Sequence, residues 1–311
     1  MKNVIFYFEP DWAFGTIHYE LFKHLWAEGY NCQLLPWNRA YTVEELRELD
    51  QQTDLWVSNP HGYRHLVHVF KSVAPDRCVM VSHAASDIHE LIDHHGLAEF
   101  NNCKKYGVVS EFLKTYGQGV GVTRTPMICP IGINYHTFKA EPNAGLTSIG
   151  YAGKYNERLI GNEEEGYHTH ITRLKRSYLV REVAERVGLR FVVANHYHNS
   201  FVTMPGFYKS VDCIMVSSTN EGAGLPVLEA GAAGKLVIST EVGHWHDRVA
   251  PLGGITAPMD ENEYIDSCVE ILTYYKNRPE EYRARCYQIQ EHAKEYDWSN
   301  YLGNWIELLS D

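Results

Sequence analysis

Two glutamates with seven residues between them, Glu221 and Glu229, frame the stretch of this 311-residue chain best suited to chemistry. It reads Ser217-Ser218-Thr219-Asn220-Glu221-Gly222-Ala223-Gly224-Leu225-Pro226-Val227-Leu228-Glu229-Ala230. The stretch follows an apolar, strand-like run and opens a helix whose first turn suits Pro226. Gly222 and Gly224 let the backbone come close to a ligand. Free amides at the helix start, aided by the helix dipole, would face an anion. A carboxylate can accept two hydrogen bonds from adjacent hydroxyls, as acidic residues do for ribose in dinucleotide sites. An anion site flanked by two diol acceptors suits a sugar joined to a nucleoside through a diphosphate. On spacing alone, an ordinary helix start with a favourable acid explains the pattern equally well.

Other residues stand where chemistry is possible. His83 follows the strand-like run Arg77 to Ser82, at the carboxyl end where a ligand would sit; a purely structural role is the alternative. Asp87, one turn further, either orients that imidazole or caps a helix. In the loop Glu9-Pro10-Asp11-Trp12-Ala13-Phe14-Gly15-Thr16, the aromatics Trp12 and Phe14 either stack on a sugar or base or pack inside the fold. His-x-His pairs occur at 168/170, 196/198 and 244/246. None has a third ligand at zinc-like spacing, so no metal and no cofactor is expected.

The elements that must position these residues alternate along the chain. Strand-like runs are Val4 to Phe8, Cys32 to Leu35, Asp54 to Val57, Cys78 to Val81, Tyr106 to Val109 and Met127 to Cys129. Helical spacing lies between them, at Ile17, Leu21 and Leu25, and again at Leu66, Val67, Phe70 and Val73. After the polar stretch Lys139 to Gly145 the pattern restarts, with strands at Ser148 to Ala152, Arg190 to Ala194, Cys213 to Val216 and Leu236 to Ser239. A helix is expected over Tyr178 to Val187, and helix from Glu261 to the end. This alternation predicts an α/β fold of two doubly wound parallel domains, with ligands beyond the carboxyl ends of the strands and in the cleft between domains.

Composition narrows the function classes. A hydrophobic fraction of 44% and a charged fraction of 22% are those of a globular chain. No run approaches the roughly 20 apolar residues needed to cross a bilayer, so no stable transmembrane association is expected. The start lacks the features of a signal peptide, and seven scattered cysteines without a Cys-x-x-Cys suit reduced thiols and a cytoplasmic setting. A formal charge of −11 disfavours a nucleic-acid partner, though the basic run Arg173 to Arg181 keeps one open and also permits docking on an anionic membrane.

With those residues in place, the chain resembles the retaining glycosyltransferases of family 4. Their Glu-x7-Glu motif, in a Glu-Gly-x-Gly-Leu-x-x-x-Glu-Ala context, is similar to Glu221 to Ala230. Tyr106 to Leu113 looks like the family's Val-Ser segment, and Ile128 to Asn134 with Phe138 looks like its Pro-Asn-Gly-Ile-Asp segment. Asp297-Trp298-Ser299 to Leu308 looks like its closing helix. The resemblance implies a GT-B fold: an acceptor-side Rossmann-like domain over 1–140, a donor-side one over 141–290, and a helix over 291–311 crossing back to the first.

The resemblance also implies roles. Glu229 would hold the donor ribose and Glu221 a hydroxyl of the donor sugar, with the amides of Gly222, Ala223, Gly224 and Leu225 at the sugar or its phosphate. His83 would contact the donor sugar. A basic pair would meet the diphosphate: Lys154 stands where the family commonly has Arg, and Arg158, Arg173, Lys175 and Arg176 compete for the second place. Any one of those four can equally be a solvated helix cation. Gly15 alone remains of the glycine loop that borders donor phosphate and acceptor. The implied reaction is sugar transfer from a nucleotide-sugar co-substrate with retention, without a metal, the leaving phosphate taking the acceptor's proton on the face of attack. Hinge closure would exclude water. The acceptor stays open among a glycan, a lipid-linked or small metabolite, a protein and a modified nucleic-acid base, the last not favoured. The rivals are a sugar-nucleotide epimerase and a degenerate sugar-nucleotide binding protein.

Overall fold

The computed structural model describes residues 1–10, 12–153, 155, 173–194, 202–222, 224–243, 245 and 250–310, and of residues 12–14 the backbone alone. The chain divides into two compact units: residues 1–132 with 299–311, and residues 133–298.

The first unit is built on six parallel strands: β1 (Asn3–Phe8), β2 (Asn31–Pro36), β3 (Leu55–Ser58), β4 (Cys78–Ser82), β5 (Lys105–Val108) and β6 (Met127–Ile128). Their order is β2-β1-β3-β4-β5-β6. Strands covered on both faces read as continuous apolar runs, and β3 and β4 are buried throughout. The helix Trp12–Ala27 buries Ile17, Leu21 and Leu25, as their spacing predicts. The pattern at Leu66 to Val73 ends sooner than expected. The helix Pro60–Arg64 runs into a π-helical turn, His65–Val69, then Lys71 turns left-handed at φ 52° and Ser72 N bonds back to Leu66 O.

The helix Leu302–Leu309 belongs to this unit. Lys105 Nζ donates to the carbonyls of Glu307 and Ser310, and Trp305 Nε1 to Pro130 O at 2.9 Å. Between Glu261 and this helix the chain is not continuously helical. Pro279 opens a new helix, Pro279–Ala293, after Glu261–Lys276, because its missing N–H cannot continue the first.

The second unit carries β7 (Ser148–Ala152), β8 (Arg190–Ala194), β9 (Cys213–Val216), β10 (Leu236–Thr240) and β11 (Ile255–Ala257), in the order β11-β10-β9-β7-β8, all parallel. The sequence did not announce β11, which is three residues long with Thr256 exposed. At the amino end of β9, the Asp212 carboxylate accepts from the amides and hydroxyls of both Thr147 and Ser148 at 2.7 to 2.9 Å, and from Asn143. Burial pushes its pKa up, but these hydrogen bonds prevail and hold it below the usual carboxylate value.

The strand order of each sheet reverses beside its first strand, between β1 and β3 and between β7 and β9. Such switch points open a crevice at the carboxyl ends, where ligands bind in doubly wound folds. All seven cysteines are free and buried. Among the described residues, no helix is long and apolar enough to cross a membrane.

Candidate functional site

The loop that leaves β9 at the switch point of the second sheet is sewn to the chain entering the helix Ser177–Val187. Ser217 Oγ donates to the carbonyls of Lys175 and Arg176, and Thr219 N to Leu174 O at 2.8 Å. Arg176 Nε donates to Ser217 O at 2.6 Å. These bonds set Lys175 beside Glu221: Nζ lies 2.5 Å from Oε1, which also accepts from Ser218 Oγ at 2.6 Å. The Lys175 and Glu221 side chains keep 28% and 21% of their exposure, so a ligand can reach both.

Gly224 then takes the left-handed conformation, φ 52°, and starts the helix Leu225–Ala232. Glu229 sits in this helix, buried, and accepts from the Tyr208 hydroxyl at 2.6 Å. Burial pushes the Glu229 carboxyl up to about 8, and the bond from Tyr208 only partly opposes it. The two glutamates of the motif therefore differ. Glu221 is a half-exposed, ion-paired carboxylate, and Glu229 is a buried acid held by a phenol.

Gly243, after β10, backs the loop. A Cβ there would stand 2.5 Å from Glu221 O and 2.9 Å from Gly222 O, and its φ is +62°. Sequence reasoning missed this residue, because one glycine in a polar stretch carries no local signal. It also missed Tyr208, which lies in the helix Met204–Lys209 far from the motif. Arg176 proves to be a brace rather than a solvated cation. It is 4% exposed at a left-handed φ of 48°, and it also donates to Met259 O at 2.6 Å. Arg173 is exposed, two residues before Lys175. Lys154, Arg158, Ala223 and the three His-x-His pairs lie outside the described residues, as do the side chains of Trp12 and Phe14.

His83 and Gly15 belong to the first unit. His83 follows β4 and is buried, its ring 5.7 Å from that of His18. Burial, then His18, holds it well below the usual imidazole range, so the ring is neutral near pH 7. Asp87 acts as a cap: Oδ2 accepts from the amides of His83 and Ala84 at 2.7 and 3.1 Å. Gly15 has a steric reason to be glycine, since a Cβ would stand 2.0 Å from the Pro10 carbonyl oxygen.

The chain is similar to several known proteins. Residues 164–274 match the family described as glycosyl transferases group 1. A stretch of 137 residues is 27% identical to a D-inositol 3-phosphate glycosyltransferase of Corynebacterium urealyticum. That stretch covers 43% of this chain and 31% of the relative, so the chain spans about a third of that protein's length. Among solved structures, a sucrose-phosphate synthase from Thermosynechococcus elongatus superposes with a TM-score of 0.72 over 99% of this chain and 98% of its own, at 14% identity. Anabaena HepE, solved in complex with UDP and glucose, gives 0.67 over 99% of both chains at 12% identity. These likenesses show the fold, two Rossmann-like α/β domains of the GT-B type.

Proposed function

We propose that this chain is a glycosyltransferase that takes a sugar from a nucleotide-sugar donor, held by the second unit, and passes it to an acceptor hydroxyl. The strongest support is the pairing of Lys175 with Glu221 at the switch point of the second sheet, with the buried acid Glu229 in the helix that follows. The family match over 164–274 covers the same residues, and the neighbour HepE was solved with UDP and glucose. A UDP-linked hexose is therefore the first donor to try.

In this reading Glu229 accepts the ribose hydroxyls and Glu221 a hydroxyl of the donor sugar. Lys175 leaves Glu221 in part to neutralise charge on the departing diphosphate, with Lys154, Arg158 or Arg173 as second cation. The amides of Gly222 to Leu225 add donors at a helix start. His83, neutral, offers a hydrogen bond without adding charge, and Gly15 shapes the loop after β1. Transfer proceeds with retention: the acceptor oxygen bonds the anomeric carbon, the bond to the diphosphate breaks, and the acceptor proton passes to the leaving phosphate. No metal or bound cofactor is invoked, and the free cysteines fit a cytoplasmic protein.

Incubating the chain with UDP-glucose and a set of sugars, polyols and glycans tests this. Release of UDP together with a new α-linked product, absent in Glu221→Gln, is expected. Conversion of the donor sugar without any acceptor would point to an epimerase instead. Nucleotide binding without turnover under every acceptor would point to a degenerate binding protein.

A further inference from the structure

Of the described residues other than glycine, two take a left-handed backbone, Lys71 and Arg176. Arg176 is the neighbour of Lys175 and holds φ 48° and ψ 38°. A side chain in that region costs energy that glycine would avoid. Arg176 is costly in a second way. It is buried, yet among the described residues its guanidinium makes no ion pair, and its Nη2 has no hydrogen-bond partner. A cation taken out of water without a counter-ion does not stabilise a fold. Backbone strain and an unpaired buried charge together mark a residue kept for what it holds in place.

What it holds is the turn that carries Lys175. Residues 173–175 are helical, and left-handed Arg176 separates them from the helix Ser177–Val187. A right-handed residue there would let the two run on as one helix and would re-aim Lys175. Arg176 and Ser217 clamp each other. Arg176 Nε donates to Ser217 O at 2.6 Å, and Ser217 Oγ donates to Arg176 O at 2.9 Å and to Lys175 O at 2.8 Å. Arg176 Nη1 donates to Met259 O at 2.6 Å, in the loop after β11. One guanidinium therefore ties the loop leaving β9 to the loop leaving β11. Thr240 Oγ1, at the end of β10, donates to Ser218 O at 2.6 Å, and Ser218 Oγ in turn places Glu221 Oε1. The carboxyl ends of three adjacent strands thus hold the Lys175–Glu221 pair.

We infer that Arg176 is the positioning residue of Lys175: its left-handed turn and its two carbonyl bonds keep the ammonium on Glu221, ready for the departing diphosphate; the inference rests on the transferase reading of the second unit. Backbone and side chain contribute separately. Glycine at 176 accepts the turn but releases both loops. Lysine keeps the charge but replaces the planar fork with a compact ammonium.

Side-chain ¹⁵N NMR of the nucleotide-free full chain reads the pair directly. The Lys175 ammonium signal, assigned by its loss in Lys175→Ala, should shift in Glu221→Gln, and Arg176→Gly should reproduce most of that shift. Arg176→Lys should fall between Arg176→Gly and wild type, and circular dichroism checks that both are folded. UDP titration then shows whether the loss runs through Lys175. Arg176→Gly should weaken UDP about fivefold or more, and should add less than about twofold once Lys175 is already alanine. A Lys175 signal unmoved in both Arg176 variants, or a loss of UDP affinity undiminished in the Lys175→Ala background, would overturn the inference. A wild type that binds no nucleoside diphosphate would count against the donor reading instead, and the nucleotide-free NMR would still decide the role of Arg176.

Discussion

The Tyr208 hydroxyl donates to Oε2 of Glu229 across 2.6 Å, and both side chains are buried. One oxygen of the proposed ribose acceptor is therefore occupied before any ligand arrives. Near pH 7 the acid is largely protonated, because burial raises it to about 8. Hydrogen bonds from ribose hydroxyls favour its anion, so nucleotide binding should release a fraction of a proton near neutral pH. Calorimetry in buffers of different ionisation enthalpy should show that release in the wild type and not in Glu229→Gln.

The same acid links stability to pH. The folded chain keeps a proton that the unfolded chain loses above about 4.5, so stability should fall as pH rises from there to about 8. The contribution is on the order of a few kcal/mol. Melting curves of Glu229→Gln should lack this part of the slope and exceed the wild type at pH 8.

Asp212 gives the opposite sign. Its folded value lies below the unfolded 3.8, so its stabilisation is present above that pH and is lost as pH falls through the folded value. Asp212→Asn should destabilise the second unit by about 2 kcal/mol or more at pH 7, since several donors lose a charged acceptor. The difference from wild type should shrink in acid, as chemical denaturation would show.

The pair Lys175–Glu221 is partly exposed, so its worth to the fold is small, about 1 kcal/mol or less. Glu221→Gln should therefore melt within a few degrees of wild type. Its turnover should fall by about a hundredfold or more if it acts on the transition state. Lys175→Ala should weaken nucleoside diphosphate binding about tenfold, read by titration.

Gly243→Ala would force a methyl against the Glu221 carbonyl at a left-handed φ. A cost of about 1–3 kcal/mol is expected, with weaker nucleotide binding because the loop shifts. Gly145→Ala, whose Cβ meets nothing within 4 Å, serves as the control.

Much of the fold was legible because buried parallel strands must be apolar: ten of the strands stand within one or two residues of their apolar runs. The strand β11 was not, since a three-residue edge strand with an exposed centre carries too little pattern. The Glu221 loop and its helix start were legible from Gly224 and Pro226, whose backbone demands are local. The partners of the glutamates were not. Tyr208, Gly243 and the brace at Arg176 reach the loop only through long-range packing, and a buried arginine looks like a surface one in sequence.

Thermal unfolding with UDP, GDP, ADP and their sugar conjugates, on wild type and Glu229→Ala, decides whether Glu221 and Glu229 form a nucleotide-sugar donor site. A ligand at one hundred times its dissociation constant adds about 2.7 kcal/mol to the folded state. A clear upward shift of the wild type with one nucleotide, lost in Glu229→Ala, is expected. No shift with any nucleotide at millimolar concentration, or the same shift in both proteins, would contradict it.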